Sequence, residues 1–189
     1  MNSASDLEIV AFASARAWRQ WLARNHAASD GIWLRLFKKT SGVASVTYDE
    51  ALDEALCHGW IDGQLKSYDA QSWLRKFTPR RTDSVWSKKN LEHVARLTKA
   101  GRMKAAGRKA ADAAKRDVAY DSPGNAAVPK DFLKALAKNA KAKACFATLN
   151  RANVYAITWR LQTAKKPETR QKRLEAILAM LAKGEKFHP

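Results

Sequence analysis

Apolar residues near the start of the chain recur first at helical spacing and then in a strand-like run. Between residues 13 and 25, Trp18, Trp21 and Leu22 follow one another at three- and one-residue steps on one helical face, which is typical of an amphipathic helix pressing indoles onto a core. Residues 31 to 37 read GIWLRLF, with large apolar groups at both odd and even positions. This run predicts a strand with apolar groups on both faces.

The next helix is the best specified in the chain. Thr47 followed by Glu50 predicts a capping box at its N-terminus, and Gly59 can supply the left-handed residue that ends it. Asp53 and Glu54 are expected to point away from the apolar face. That face is made of Tyr48, Ala51, Leu52, Ala55 and Leu56.

Residues 64–68 and 72–78 are separated by a short polar turn, and we interpret them as a hairpin that ends at Pro79. Ser87 can cap a helix that begins near Lys88. Together with the strand at 31–37, the hairpin predicts an α+β fold, in which a small, mainly antiparallel sheet packs with helices.

The rest of the chain has a helical pattern. Gly101 breaks the first helix, and residues 102–116 can pack only by close approach of small side chains. Three further helices are predicted near 129–138, 140–164 with a break around Asn150, and 167–183. The resulting domain prediction is an α+β domain at 1–116 with a basic helical extension, a linker at 117–128, and a helical C-terminal region at 129–189.

Charge is unevenly distributed along this chain, whose formal net charge is +17. Residues 75–116 hold 14 Lys and Arg against 3 Asp and Glu, whereas residues 1–74 are slightly acidic. A cationic field of this kind attracts nucleic acid, anionic lipid or acidic partners. No apolar run is long enough to span a membrane and no secretory signal is visible, so a cytoplasmic protein is expected. Cys57 and Cys145 are expected to be reduced packing residues.

Two motifs exceed what folding alone needs. Residues 57–63 read CHGWIDG, and residues 77–90 read FTPRRTDSVWSKKN. These runs resemble the YdeI or OmpD-associated group, also called bacteriocin-protection proteins, and the resemblance extends over nearly the whole chain. His58 stands where an aromatic residue is usual in that group. The resemblance implies a stress-related association, and it implies no particular reaction.

Candidate catalytic residues cluster in the first motif. Cys57 and His58 are adjacent, so on a helix their side chains diverge by about 100° and form a poor nucleophile and base pair. A packed thiol beside a surface histidine is the favoured interpretation. Asp62 suits a turn cap, with a ligand contact or a general-base role as alternatives. Trp60 and Trp86 are expected in the core, with stacking on a planar ligand as the alternative.

The second motif supplies the strongest binding candidates. Arg80 and Arg81 follow a strand end and precede a helix, beside hydroxyl and amide side chains, which together favour an anion cradle. The equally weighted alternative is that one arginine pairs with Asp62, Asp69 or Asp83 and ties the hairpin to the helix. The predicted ligand-binding residues are Trp60, Asp62, Arg80, Arg81, Ser84, Trp86, Ser87 and Asn90.

Known catalytic and nucleic-acid-binding fingerprints are absent from the sequence. The favoured function is therefore a non-catalytic, stress-associated protein that binds an anionic ligand through a basic surface, with weak and non-specific nucleic-acid binding as one form of it. Alternatives are an enzyme with a cleft at residues 59–63 and an adaptor for an envelope component. No cofactor and no metal are predicted, and the oligomeric state is left open.

Overall fold

The chain divides into two compact units. A computed structural model describes residues 7–82, 84–113, 120–121 and 125–189. The first unit comprises Met1–Ser84 and Leu91–Ala114, and the second comprises Val85–Asn90 and Lys115–Pro189.

A four-stranded sheet forms the centre of the first unit. Its strands are β1 (Ile9–Ala11), β2 (Ile32–Phe37), β3 (Trp60–Ser67) and β4 (Ser72–Pro79), in the spatial order β1-β2-β4-β3. The pairs β2–β4 and β4–β3 are antiparallel, which confirms the predicted α+β class and its hairpin. The prediction missed β1, a three-residue strand parallel to β2.

The helices of the first unit are α1 (Ala15–Asn25), α2 (Tyr48–Cys57), α3 (Lys88–Lys99), whose residues 88–90 belong to the second unit, and α4 (Ala105–Asp112). A 3₁₀ turn covers Lys39–Ser41. Side chains of α1 and α2 pack on one face of the sheet, because apolar side chains alternate along β2 and need a partner layer. The core of this layer contains Trp18, Leu22, Leu34, Trp60 and Phe77.

The predicted capping box of α2 is present. Thr47 Oγ1 accepts a hydrogen bond from the Glu50 amide, and the Glu50 carboxylate accepts one from the Thr47 amide at 2.9 Å. The hydrogen bond from the Thr47 amide is the largest cause that lowers the pKa of Glu50, and a hydrogen bond from the Thr47 hydroxyl to the same carboxylate at 2.8 Å lowers it further. Gly59 has φ of 76° and follows the helix as predicted.

Close backbone approach joins α4 to the end of α2. The Lys104 amide donates to the Cys57 carbonyl at 3.0 Å. A Cβ atom on Gly107 would lie 2.7 Å from the Leu56 carbonyl oxygen and closer still to that of Cys57. The expected packing through small side chains is therefore confirmed in this segment, and glycine is required for it.

The second unit contains α5 (Lys130–Leu136), α6 (Ala140–Ala147), α7 (Arg151–Gln162) and α8 (Pro167–Ala182). Asn150 caps α7, which confirms the predicted break, and Pro167 begins α8. Ser87 forms a parallel bridge with Tyr120. Half of the predicted 117–128 linker, residues 117–119 and 122–124, lies outside the described residues. The core of the unit includes Phe132, Leu136, Ile157, Leu161, Ile177 and Leu181.

Candidate functional site

The first residue of β3 is a core residue. Trp60 is 1% exposed, and its indole N–H donates to the His26 carbonyl at 3.0 Å. Its ring meets those of Trp18 and Trp21 edge-on at centroid distances of 6.4 and 5.8 Å. Trp60 was expected in the core, and the structure agrees with that expectation. Its indole has no free face for stacking on a ligand.

Asp62 lies in β3 on the face of the sheet that carries the helices, and it does not cap a turn. Its carboxylate accepts from the Tyr48 hydroxyl at 2.8 Å and pairs with the Arg75 guanidinium at 2.5 Å. Burial, as the largest cause, raises the pKa of Tyr48. Asp62 is only 14% exposed at its side chain, so the three groups form a partly buried cluster that ties α2 to the hairpin.

The corner after β4 holds the two predicted arginines. The Arg80 amide donates to the Gly59 carbonyl at 2.9 Å, and the Ser84 hydroxyl donates to the Arg81 carbonyl at 2.8 Å. Two of the acids suggested as partners for these arginines pair elsewhere, Asp62 with Arg75 and Asp69 with Arg35. The third, Asp83, lies outside the described residues.

The remaining predicted residues belong to the second unit. Trp86 is 3% exposed, and its carbonyl accepts from the Tyr120 amide at 3.0 Å. Ser87 Oγ accepts from the Asn90 amide at 3.1 Å, which confirms the predicted cap of α3. Because the eight predicted residues are divided between two units, their action as one ligand site stays a prediction.

Cys57 and His58 do not form a reactive pair in this structure. Burial raises the pKa of the Cys57 thiol to about 11, so it is protonated at neutral pH. His58 is 3% exposed and its Nδ1 lies 2.9 Å from the Glu54 carbonyl oxygen, which corrects the expectation of a surface histidine. Burial is also the main cause that lowers the pKa of His58. The packed thiol was predicted correctly.

A charge cluster on α2 was missed by sequence reasoning. Asp53 and Glu54 were expected to point away from the protein, yet they are 8% and 2% exposed. Glu54 receives two hydrogen bonds from Arg19, at 3.0 and 2.7 Å, and one from Arg102 at 2.7 Å. The expectation was wrong because the guanidinium groups of Arg19, Arg96 and Arg102, from three other segments, bind the carboxylates of the C-terminal half of α2.

Asp53 completes this charge cluster. Arg96 donates to both of its oxygens, at 2.6 and 2.9 Å, and His93 Nδ1 lies 2.9 Å from Oδ1. Burial alone would raise the pKa of Asp53, but the hydrogen bonds from Arg96 and His93 outweigh it and hold the pKa below its ordinary value. The spacing of Arg96 and Arg102 from α2 along the chain gave no signal for this convergence.

The face of the sheet opposite α1 and α2 combines aromatic and basic side chains. Strand register places Trp33, Arg35 and Phe37 there with Lys66 and Lys76 from the hairpin strands. With Tyr68 beside Arg35, these residues are called the cationic face below. Lys66 Nζ lies 4.4 Å from the Trp33 ring centroid.

Arg35 forms the centre of one half of the cationic face. Its guanidinium carbon lies 4.4 Å from the Phe37 ring centroid and 4.8 Å from that of Tyr68. Hydrogen bonds to Asp69 at 2.7 Å and to the Ser72 hydroxyl at 2.9 Å fix its orientation. Tyr68 is 48% exposed, so one aromatic ring of this half is accessible.

The protein combines an α+β unit with a helical unit, and these two units define its structural class. The model of the family described as Domain of unknown function (DUF8412) matches residues 10–110, and the chain belongs to that family. A second model, described as Bacteriocin-protection, YdeI or OmpD-Associated, matches residues 125–184. The resemblance to the YdeI or OmpD-associated group is thus confirmed at residues 125–184. The motifs at 57–63 and 77–90 lie in the part of the chain that the first model matches.

Neither the curated proteins nor the solved structures include a significant match to the chain. Within the described residues, no helix has the length and apolar character needed to cross a membrane. The same part of the chain contains no group of three or more His, Cys, Asp or Glu that could hold a metal ion.

Proposed function

We propose that this protein binds single-stranded nucleic acid, weakly and without sequence preference, through the cationic face. The observation that carries the proposal is the set of cations held beside aromatic rings on one sheet surface. Arg35 lies between Phe37 and the exposed Tyr68, and Lys66 lies over Trp33, which is 5% exposed and positions the lysine but has no free face for a base. Bases stack on aromatic rings, and phosphates bind the neighbouring cations.

Charge supports an anionic ligand at this surface. Within the described part of the chain, neither Lys66 nor Lys76 takes part in a salt bridge. Arg35, the third cation of the face, pairs with Asp69. The formal net charge of +17 adds a long-range attraction for polyanions. Arg80, Arg81 and Ser84 remain a second predicted contact surface for the same ligand.

Binding is favoured over the enzymatic alternative at residues 59–63. The Cys57 thiol is buried and protonated, and the Asp62 carboxylate is engaged by Tyr48 and Arg75. Neither group is poised as a nucleophile or base toward a substrate. The match to the bacteriocin-protection model connects the chain to a protection function whose mechanism the family description does not give.

The test is a fluorescence anisotropy titration with labelled oligothymidylate at several salt concentrations. We compare the parent with a K66Q/K76Q variant. The matched control is K99Q/K109Q, which removes two exposed lysines from α3 and α4 of the same unit. We expect the first variant to weaken binding and to reduce the log-log salt slope by roughly 1 to 2 units, because two phosphate contacts are lost.

If both double variants lose the same affinity, the nucleic acid is attracted by the net charge of the protein and not by the cationic face. Absence of binding near physiological salt would overturn the proposal. An R81Q variant tests the predicted corner separately. If R81Q weakens binding while K66Q/K76Q does not, the binding surface lies at the end of β4.

Stacking is tested at Tyr68. We expect Y68A to weaken single-strand binding by about 1–3 kcal/mol and Y68F to retain it, because the phenyl ring is what stacks. A duplex of the same length should respond little to either change, since its bases are already stacked. Equal effects on single strands and duplexes would exclude base stacking at this residue.

A further inference from the structure

A hollow in the second unit has the composition of a binding site. It lies between α7, α8 and the C-terminal segment, with a volume of about 390 Å³. This volume is at the lower end of the range for small-molecule sites, about 300–1,000 Å³. Its walls include Trp159, Arg160, Arg173, Ile177, Met180 and Phe187.

Two guanidinium groups enter this otherwise apolar hollow. Arg160 stacks on the Phe187 ring, with its guanidinium carbon 3.8 Å from the ring centroid, and it donates to the Ala156 carbonyl at 3.2 Å. Arg173 donates to the Arg160 carbonyl at 2.7 Å. These neutral partners hold both side chains in place without cancelling their charges.

No carboxylate lines the hollow, and neither arginine is in a salt bridge within the described residues. A guanidinium has five N–H donors, and the hydrogen bonds of Arg160 and Arg173 to described residues occupy only some of them. Two positive charges against an apolar wall favour a ligand that brings one negative group and an apolar body.

One lining side chain of the hollow is an exposed aromatic residue. Trp159 is 37% exposed and also lines a second hollow of about 310 Å³, together with Tyr155. The Tyr120 ring meets the Trp159 indole at a steep angle, with 6.3 Å between centroids, and the exposed part of the indole suits a planar or aliphatic ligand body. The neighbouring ring of Phe187 is backed by Arg160, so the apolar body and the anionic group of one ligand can be held side by side.

We propose that the second unit binds a small apolar carboxylate, with the carboxylate at Arg160 and Arg173 and the apolar body against Trp159, Met180 and Phe187. The bidentate geometry of guanidinium matches the two oxygens of a carboxylate. This site is independent of the proposed nucleic-acid surface, which lies in the other unit.

The test is isothermal titration calorimetry of the full chain with 4-phenylbutyrate, compared with the neutral 4-phenylbutan-1-ol, which has the same apolar body. We expect the acid to bind at least about tenfold more tightly than the alcohol. R160Q and R173Q should each weaken binding of the acid by about tenfold and leave the affinity for the alcohol unchanged. K172Q, which removes an exposed cation from the adjacent position of α8, should change neither.

A176W gives a variant that keeps both arginines. Ala176 lines the hollow from an exposed position of α8, so an indole there should fill the space and abolish binding of both compounds with little effect on folding. The proposal is overturned if the acid and the alcohol bind equally, if K172Q weakens the acid as much as R173Q, or if the parent binds neither compound at millimolar concentration.

Discussion

At the scale of single residues, the pairing of buried charges is the feature that the sequence conceals. Glu54 is 3% exposed at its side chain, whereas its partners Arg19 and Arg102 are 51% and 37% exposed. Removing the carboxylate therefore leaves two arginines that water can solvate. Removing both arginines leaves a carboxylate that water cannot reach, and this asymmetry has a measurable consequence.

We expect the R19M/R102M double variant to lower the free energy of unfolding by about 3–5 kcal/mol. E54Q should cost only about 1–3 kcal/mol, because its amide keeps the volume and some of the hydrogen bonds. Urea unfolding followed by circular dichroism measures both. Equal costs, or the reverse order, would show that Glu54 is not buried from water as described.

His58 makes a pH-dependent contribution to stability. Burial lowers its pKa in the folded protein, while His26, Glu54 and Lys104 also act on it electrostatically. In the unfolded chain His58 therefore takes up a proton near pH 6.5, whereas in the folded protein it takes up the proton only at a lower pH. The stability due to neutral His58 is complete above that pH and is lost as the pH falls through the lowered pKa.

We expect H58F, which places the aromatic residue usual in the resembled group, to reduce the fall in stability between pH 8 and pH 5. Urea unfolding at the two pH values measures it, with H188Q as a control that removes an exposed histidine. If the parent and H58F lose the same stability on acidification, another group controls this pH range.

At the scale of elements, local signals predicted most of the helices and the hairpin. Thr47 with Glu50, Asn150 and Pro167 determine where α2, α7 and α8 begin, because caps and proline act through neighbouring backbone groups. The parallel strand β1 escaped prediction because it has three residues and its register depends on β2, more than twenty residues away.

The contact between α2 and α4 depends on one glycine. In an exposed helix, Gly→Ala stabilises by about 1 kcal/mol. At Gly107 we expect the opposite sign, with G107A costing about 1–3 kcal/mol, because the new methyl would press on the carbonyls of Leu56 and Cys57. Thermal unfolding measures the change, with K109A at an exposed α4 position as the control. A stabilised G107A protein would contradict the described packing.

At the scale of the whole molecule, the sequence predicts a negatively charged ligand, whereas the proposed binding surface depends on the strand register. The excess of 35 basic over 18 acidic residues is visible in composition. Which cations are neutralised depends on tertiary contacts, since Asp62 pairs with Arg75 and Asp69 with Arg35. The alternation of side chains along β2 and β4 predicts which residues of each strand share a face. Which residues of the two strands lie side by side depends on their register, which the sequence does not show.

The most direct test of the central claim is ultraviolet cross-linking of the parent protein to oligothymidylate, with the modified peptides identified by mass spectrometry. The proposed nucleic-acid surface predicts cross-links at Tyr68 and Phe37, in the segments 67–75 and 36–38, and their loss in K66Q/K76Q. Cross-links confined to α3, α4 or the second unit, with none in these two segments, would contradict the assignment of the cationic face as the binding surface.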